Sequence, residues 1–254
     1  MAKLGYAYRK RARIKRRGGV DDSWLLNADF YGKEKISDIS PYLIPNEVIA
    51  GCIAHYLKLS LPLLALMKSR GGAAMTMFAS LQFARLDSEP DDFRPKECYR
   101  KMPDLCTGIV LFDILIANAD RHRWNIQTDS ASDPALIRII DHDRALFGVD
   151  GVPRLQRLKE RLGISGGSVT HDNRHCLIDH LSDADLMWKW RERIAAIPEW
   201  FIKETCDEVR GIGARKAEVE EAAKFLIYRK NNLSDIVLAN KNEFNAINCW
   251  GIMI

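Results

Sequence analysis

The run Leu111-Phe112-Asp113-Ile114-Leu115-Ile116-Ala117-Asn118-Ala119-Asp120-Arg121-His122-Arg123-Trp124-Asn125-Ile126-Gln127 decides the fold, together with Leu136-Ile137-Arg138-Ile139-Ile140-Asp141-His142-Asp143 beyond a polar break. An apolar lead over Cys106–Ala117 predicts a buried helix that delivers the loop 118–125. The β-branched run 136–140 predicts a buried strand, and Asp141 stands where that strand leaves the core. Three oxygen donors therefore follow in order: Asp120, then Asn125, then Asp141. Oxygen ligands of this kind suit a hard cation, which takes one or two protein carboxylates and fills its remaining positions with water or phosphate. The plain alternative has Asp120 and Asn125 capping a helix and shaping a turn, both common work for these residues. It leaves unexplained why a strand then delivers Asp141.

Phosphoryl transfer needs this order of donors. One carboxylate orients the attacking hydroxyl, an amide follows at D-x-x-x-x-N spacing, and a second carboxylate holds magnesium on the phosphates. The sequence D-R-H-x-x-N followed by I-D-H resembles the HipA-like kinase families and, more distantly, the phosphoinositide-kinase-like catalytic core. Arg17-Gly18-Gly19, Asn46-Glu47 and Tyr228-Arg229-Lys230-Asn231-Asn232-Leu233 agree with the HipA-like pattern. The resemblance covers most of the chain and is densest over 108–148. It implies an α+β, bilobal, protein-kinase-like fold with a small β-rich N-lobe and a larger, mainly helical C-lobe. It also implies ATP, Mg²⁺ and transfer of the γ-phosphoryl group to a protein Ser or Thr. On that resemblance Asp120 orients the acceptor hydroxyl, while Asn125 and Asp141 hold the metal.

Length and composition agree with one two-lobed domain: 254 residues, 47% hydrophobic and 28% charged. No apolar stretch reaches the length of a membrane span, and the charged N-terminus has no apolar signal core behind it, so a cytoplasmic protein is expected. The six cysteines show no C-x-x-C pairing and are expected as reduced thiols. Net charge is only +4, but residues 1–17 hold eight Lys and Arg and no acid. That block is either a solvated edge strand or a site for nucleic acid or an acidic partner.

The N-lobe is expected over 1–90. Gly18-Gly19 is either a plain turn or a loop covering phosphates. Strands are predicted over 61–67 and 75–83, the second leading to an adenine-binding edge near 80–84. Pro45-Asn46-Glu47 opens a helix with Asn46 as N-cap, and Val48, Ile49, Cys52, Ile53, Tyr56 and Leu57 recur at helical spacing. The kinase reading pairs Glu47 with a strand lysine that contacts the phosphates. The family pattern has that lysine ending an apolar strand, whereas the candidates here, Lys33 and Lys35, lie in a polar stretch. Lys35 is taken as the phosphate-contacting residue.

The C-lobe is expected over 91–254, after a boundary near Asp87–Pro95. Asp113, an acid among hydrophobes, is expected to anchor the loop, and His122 to brace it. Arg121 and Arg123 point to phosphates or to Asp143, which is a second candidate metal ligand. His171, His175 and His180 cluster with Asp172 and Asp179, but no clear third zinc ligand accompanies them. Gly163, Gly166 and Gly167 mark an irregular segment with Ser165, Ser168 and Thr170 as phosphoacceptors. From Ser182 onward the pattern is helical, with a break at Gly211-Ile212-Gly213 and a long helix or helix pair over 218–236. Three rivals to a protein kinase remain: a small-molecule or lipid kinase, a nucleotide-binding pseudokinase acting as a regulatory or interaction module, and a nucleic-acid binder led by its basic N-terminus. The unclear lysine favours the pseudokinase.

Overall fold

A computed structural model describes residues 8–14, 23–28, 30–34, 41–68, 76–81, 92–128, 136–164 and 174–250. Strand β1 (Tyr8–Ile14) pairs antiparallel with β2 (Ser23–Ala28), so the basic N-terminal run includes an extended backbone. The expected sites at Gly18-Gly19, Lys35, 82–84, 87–91, Ser165, Ser168, Thr170, His171 and Asp172 lie outside the described residues.

A second antiparallel sheet has the order β3 (Phe30–Glu34), β5 (Thr76–Leu81), β4 (Leu64–Lys68). One row across it is made of Gly32, Ala79 and Ala65, which keeps the sheet thin there. A Cβ on Gly32 would lie 2.2 Å from Met77 Sδ, so only glycine allows that thioether to close over β3 beside Lys33. The strand expected over 61–67 is observed as Leu64–Lys68; Leu61–Leu63 lie outside it, although Leu63 O still accepts from Leu81 N at 2.8 Å.

Under this sheet lies α1 (Leu43–Tyr56), and it joins two apolar clusters. Leu43 and Ile44 pack with Phe78 beneath the strands, while Ile49, Ala50, Ile53 and Ala54 belong to the main core. Burial on several sides explains why the helix starts at Leu43, ahead of Pro45, whose missing N–H costs nothing in a first turn. Asn46 is consequently not the N-cap. Tyr42 holds that position, and Asn46 is fully buried inside the first turn. At Gly51 an added Cβ would meet Leu64 Cδ1 at 2.4 Å, a close approach that seats β4 on the helix.

The remainder is mainly helical. After α2 (Pro95–Lys101), α3 (Pro103–Ile116) is apolar on every side and forms the centre of the core. Strands β6 (Ile126–Thr128) and β7 (Ile137–Ile139) form an antiparallel pair beyond it. Then come α4 (Val152–Leu158), α5 (Ala184–Ala195), α6 (Glu199–Asp207), α7 (Lys216–Asn231) and α8 (Leu233–Ala239). The pattern over 218–236 is thus a helix pair divided at Asn232. Trp190 of α5 lies directly over Gly108 of α3, its ring 2.3–2.6 Å from where a Cβ would stand.

Arg229 of α7 is fully buried and has no carboxylate partner among the described residues. It donates instead to the carbonyls of Leu115 (3.2 Å), Leu158 (2.6 Å), Arg161 (2.7 Å) and Leu162 (3.0 Å), and to that of Ile114. A cation at the carbonyl end of α3 satisfies orphan acceptors and opposes the negative end of the helix dipole. Arg154 donates to Ala117 O (2.8 Å) and to Leu146 O in the same neighbourhood. Two buried arginines therefore fix the place where α3 releases the chain into the loop 117–125. No described helix is long and apolar enough to cross a membrane.

Candidate active site

Helix α3 ends at Ala117, whose left-handed backbone (φ 50°) turns the chain sharply into the loop. The loop is held from below by Asp113, which is fully buried. Its carboxylate accepts from Arg121 Nε (2.8 Å) and Nη2 (3.1 Å), from Asn118 Nδ2 (2.9 Å), and from His175 Nε2 (3.0 Å). His175 is fixed as the Nε2–H tautomer because its Nδ1 accepts from Leu177 N at 3.1 Å. Burial pushes the Asp113 pKa up, but the Arg121 charge and the bonds from His175 and Arg121 outweigh it and hold the carboxyl below its ordinary range. His175, considered for zinc at first, is thus a partner of Asp113. Among the described residues no cluster of His, Cys, Asp and Glu could hold a metal by itself.

Arg121 points inward, not toward phosphates. Its Nη1 donates to Asn125 O (2.8 Å) and Ile140 O (2.6 Å), tying the loop to the end of β7. Asn125 is buried, and its Nδ2 donates to Asp120 O at 2.9 Å. Asp120 Oδ1 is buried and has no hydrogen-bond partner among the described residues. Burial, opposed by His122 and assisted by Asp141, raises its pKa. His122 braces the loop through its backbone, its N–H donating to Asp120 O (3.0 Å) and its carbonyl accepting from Asn125 N (3.0 Å), while its ring packs against Trp124 with centroids 5.5 Å apart; among the described residues its buried Nδ1 has no hydrogen-bond partner.

Asp141 leaves β7 in a left-handed conformation (φ 60°), uncommon for a residue with a Cβ. There it meets Lys33 of β3: Lys33 Nζ lies 2.5 Å from Asp141 Oδ1 and 2.6 Å from Glu47 Oε1. The two carboxylates outweigh the desolvation of Lys33 and raise its pKa. Burial pushes Glu47 and Asp141 up. The bond from His142 together with Lys33 more than reverses this for Glu47, and Lys33 does so for Asp141. Asp143 takes the opposite course: burial and the Asp141 charge push it up to about 7. Arg144 stands 4.0 Å from Asp143.

The lysine beside Glu47 is therefore Lys33. Lys35, taken for that place from the sequence, lies outside the described residues. Strand alternation alone could not separate the two candidates, because residues two apart in sequence have the same parity. Asn46 was also read too simply. Its Nδ2 donates to Asp143 O (2.6 Å) and Gly148 O (3.4 Å), and its Oδ1 accepts from Phe147 N (3.1 Å). Glu47, Asp141, Lys33 and His142 border a small crevice of ≈ 20 Å³ that Phe78 and Ile139 also line. A larger apolar cleft, lined by Cys52, Tyr56, Leu59, Leu63 and Phe201, lies toward the other end of α1 and contains none of these charged groups.

No protein-family model matches the chain, and no curated protein matches it in sequence. A solved structure does: the crystal structure of the Helicobacter pylori proinflammatory kinase CtkA, 14% identical, with a TM-score of 0.54. The match covers 94% of this chain and 96% of that one. At that identity the likeness speaks for the fold, and the chain has a bilobal, kinase-like α+β fold.

Proposed function

We propose that the chain is a HipA-like kinase, transferring the γ-phosphoryl group of ATP to a protein Ser or Thr hydroxyl with Mg²⁺. The observation that carries this reading is the Lys33 ammonium held between Glu47 of α1 and Asp141 at the end of β7. A lysine so placed lies where it can pass from a carboxylate to phosphate oxygens. Lys33 also supplies the strand lysine whose apparent lack favoured a pseudokinase.

The donor set suits the cation. Asp120 Oδ1 is buried and has no hydrogen-bond partner among the described residues, and burial together with the Asp141 charge pushes Asp143 up to about 7, which a bound cation would relieve. Asn125 Nδ2 donates to Asp120 O, and its side-chain carbonyl is the atom that would serve as the ligand together with Asp141. When bound, Mg²⁺ neutralises charge on the phosphates. Asp120 accepts a hydrogen bond from the acceptor hydroxyl and aims it, Lys33 steadies the phosphates, and Arg121 keeps Asn125 and Asp141 in register through Ile140. A cytoplasmic setting fits the six cysteines, all of which are free.

Incubation with γ-labelled ATP and Mg²⁺ should give autophosphorylation or slow turnover. Asp120→Asn should reduce it by about 100-fold or more, the loss expected for a positioned acid–base group. Full activity in Asp120→Asn would remove Asp120 from its role.

A further inference from the structure

His142 follows Asp141 directly, yet it is almost closed off from solvent. It is 2% exposed, and its ring edge meets Phe112 of α3 with centroids 5.8 Å apart. Its Nδ1 lies 3.3 Å from Glu47 Oε2, while the other oxygen of the same carboxylate, Oε1, takes Lys33 at 2.6 Å. Carboxylate oxygens accept and do not donate, so this contact requires the proton on Nδ1. The adjacent helix residue, Asn46, binds the backbone of Asp143, Phe147 and Gly148. Two successive residues of α1 therefore grip the segment that begins at the proposed metal ligand.

We propose that His142 is a positioning residue: by holding Oε2 of Glu47 it turns Oε1 toward Lys33, and so sets the lysine. A glutamate has three side-chain torsions, and fixing one oxygen of a planar carboxylate fixes the direction of the other. Phe112 supports the imidazole from α3, and Asn46 keeps the segment 143–148 against α1, so the ring cannot withdraw without the helix. The arrangement links α1, the end of β7 and α3 through one side chain. Its catalytic consequence rests on the kinase reading, but its effect on Lys33 does not.

The test uses the full chain and two variants. His142→Phe keeps the ring against Phe112 and deletes the donor, while His142→Asn places an amide N–H where Nδ1–H stood. The direct readout is acylation of Lys33 by an amine-reactive ester, quantified by mass spectrometry without nucleotide. In His142→Phe, Glu47 no longer holds Lys33, and labelling should rise several-fold as the amine becomes accessible to the ester. His142→Asn should label within about twofold of the parent chain and keep its KM for ATP, whereas His142→Phe should raise that KM. A folded His142→Phe that labels at the parent rate would overturn the proposal, as would His142→Asn behaving like His142→Phe. If His142→Phe does not fold, the ¹⁵N shifts of the His142 imidazole in the parent chain decide: a proton on Nε2 contradicts the proposal, and one on Nδ1 supports it. Altered labelling in a chain that never turns over ATP would retire the kinase reading and leave this inference standing. Turnover with unchanged labelling would do the reverse.

Discussion

Asp113 touches no proposed substrate, yet the loop depends on it. It receives two bonds from Arg121 and one each from Asn118 and His175, all without water. Taking two charges out of water costs several kcal/mol each, so the pair holds only while both members and their extra hydrogen bonds remain. Asp113→Ala would leave the Arg121 guanidinium buried and uncompensated, at a cost of about 3–5 kcal/mol in denaturant unfolding. A change under about 1 kcal/mol would mean that Arg121 finds water or another partner, since that is the ordinary scale for a surface substitution. The acid limb carries a second signature. The folded carboxyl has a pKa below its unfolded value, so the unfolded chain binds more protons between the two. Its stabilisation is therefore complete above an unfolded value of about 4 and declines as pH falls toward the folded one. Asp113→Asn should flatten the stability profile in that acid window and leave its neutral-to-alkaline shape unchanged.

Among elements, α3 governs the rest because it is buried on every side and ends at the loop. Its contact with α5 is set by one glycine: Trp190 lies over Gly108, and its indole Nε1 donates to Asp104 Oδ1 at 3.2 Å. A methyl at 108 would have to share space with the six-membered ring of that indole. Gly108→Ala should cost about 1–3 kcal/mol, the usual range for overpacking, despite alanine's better helix propensity. Trp190→Phe in the same chain should recover part of the loss, which a double-mutant cycle would read as coupling between the two sites. Additive effects would mean that α5 shifts as a unit and the ring is not the obstacle. Helix α1 shows a different dependence. It belongs to both apolar clusters, so packing, not capping, sets where it begins, and Asn46 is free to bind the chain 100 residues away.

At the scale of the molecule, local signals were legible and distant partners were not. The apolar helix, the strand ending on Asp141 and the order Asp120, Asn125, Asp141 could be read because each depends on neighbours in sequence. The lysine could not: Lys33 meets Glu47 and Asp141 only after β3 closes over α1 and β7, and its strand is short and polar. Arg121 resembled a phosphate ligand because its partner Asp113 lies one helix back and His175 much further on. Arg229 looked like one basic residue of an amphipathic helix, and its role at the end of α3 needs the whole C-terminal bundle in place. The central claim, that a lysine on β3 and a carboxylate at the end of β7 make one phosphate-handling site, is tested most directly by comparing Lys33→Met with Lys35→Met. The measurement is the rate of γ-phosphoryl transfer from labelled ATP with Mg²⁺, in variants whose melting matches the parent chain. The account predicts a loss of about 100-fold or more for Lys33→Met, the scale of removing one preorganised charge from a transition state, and near-parent activity for Lys35→Met. Undiminished transfer in Lys33→Met, or a loss confined to Lys35→Met, would contradict it.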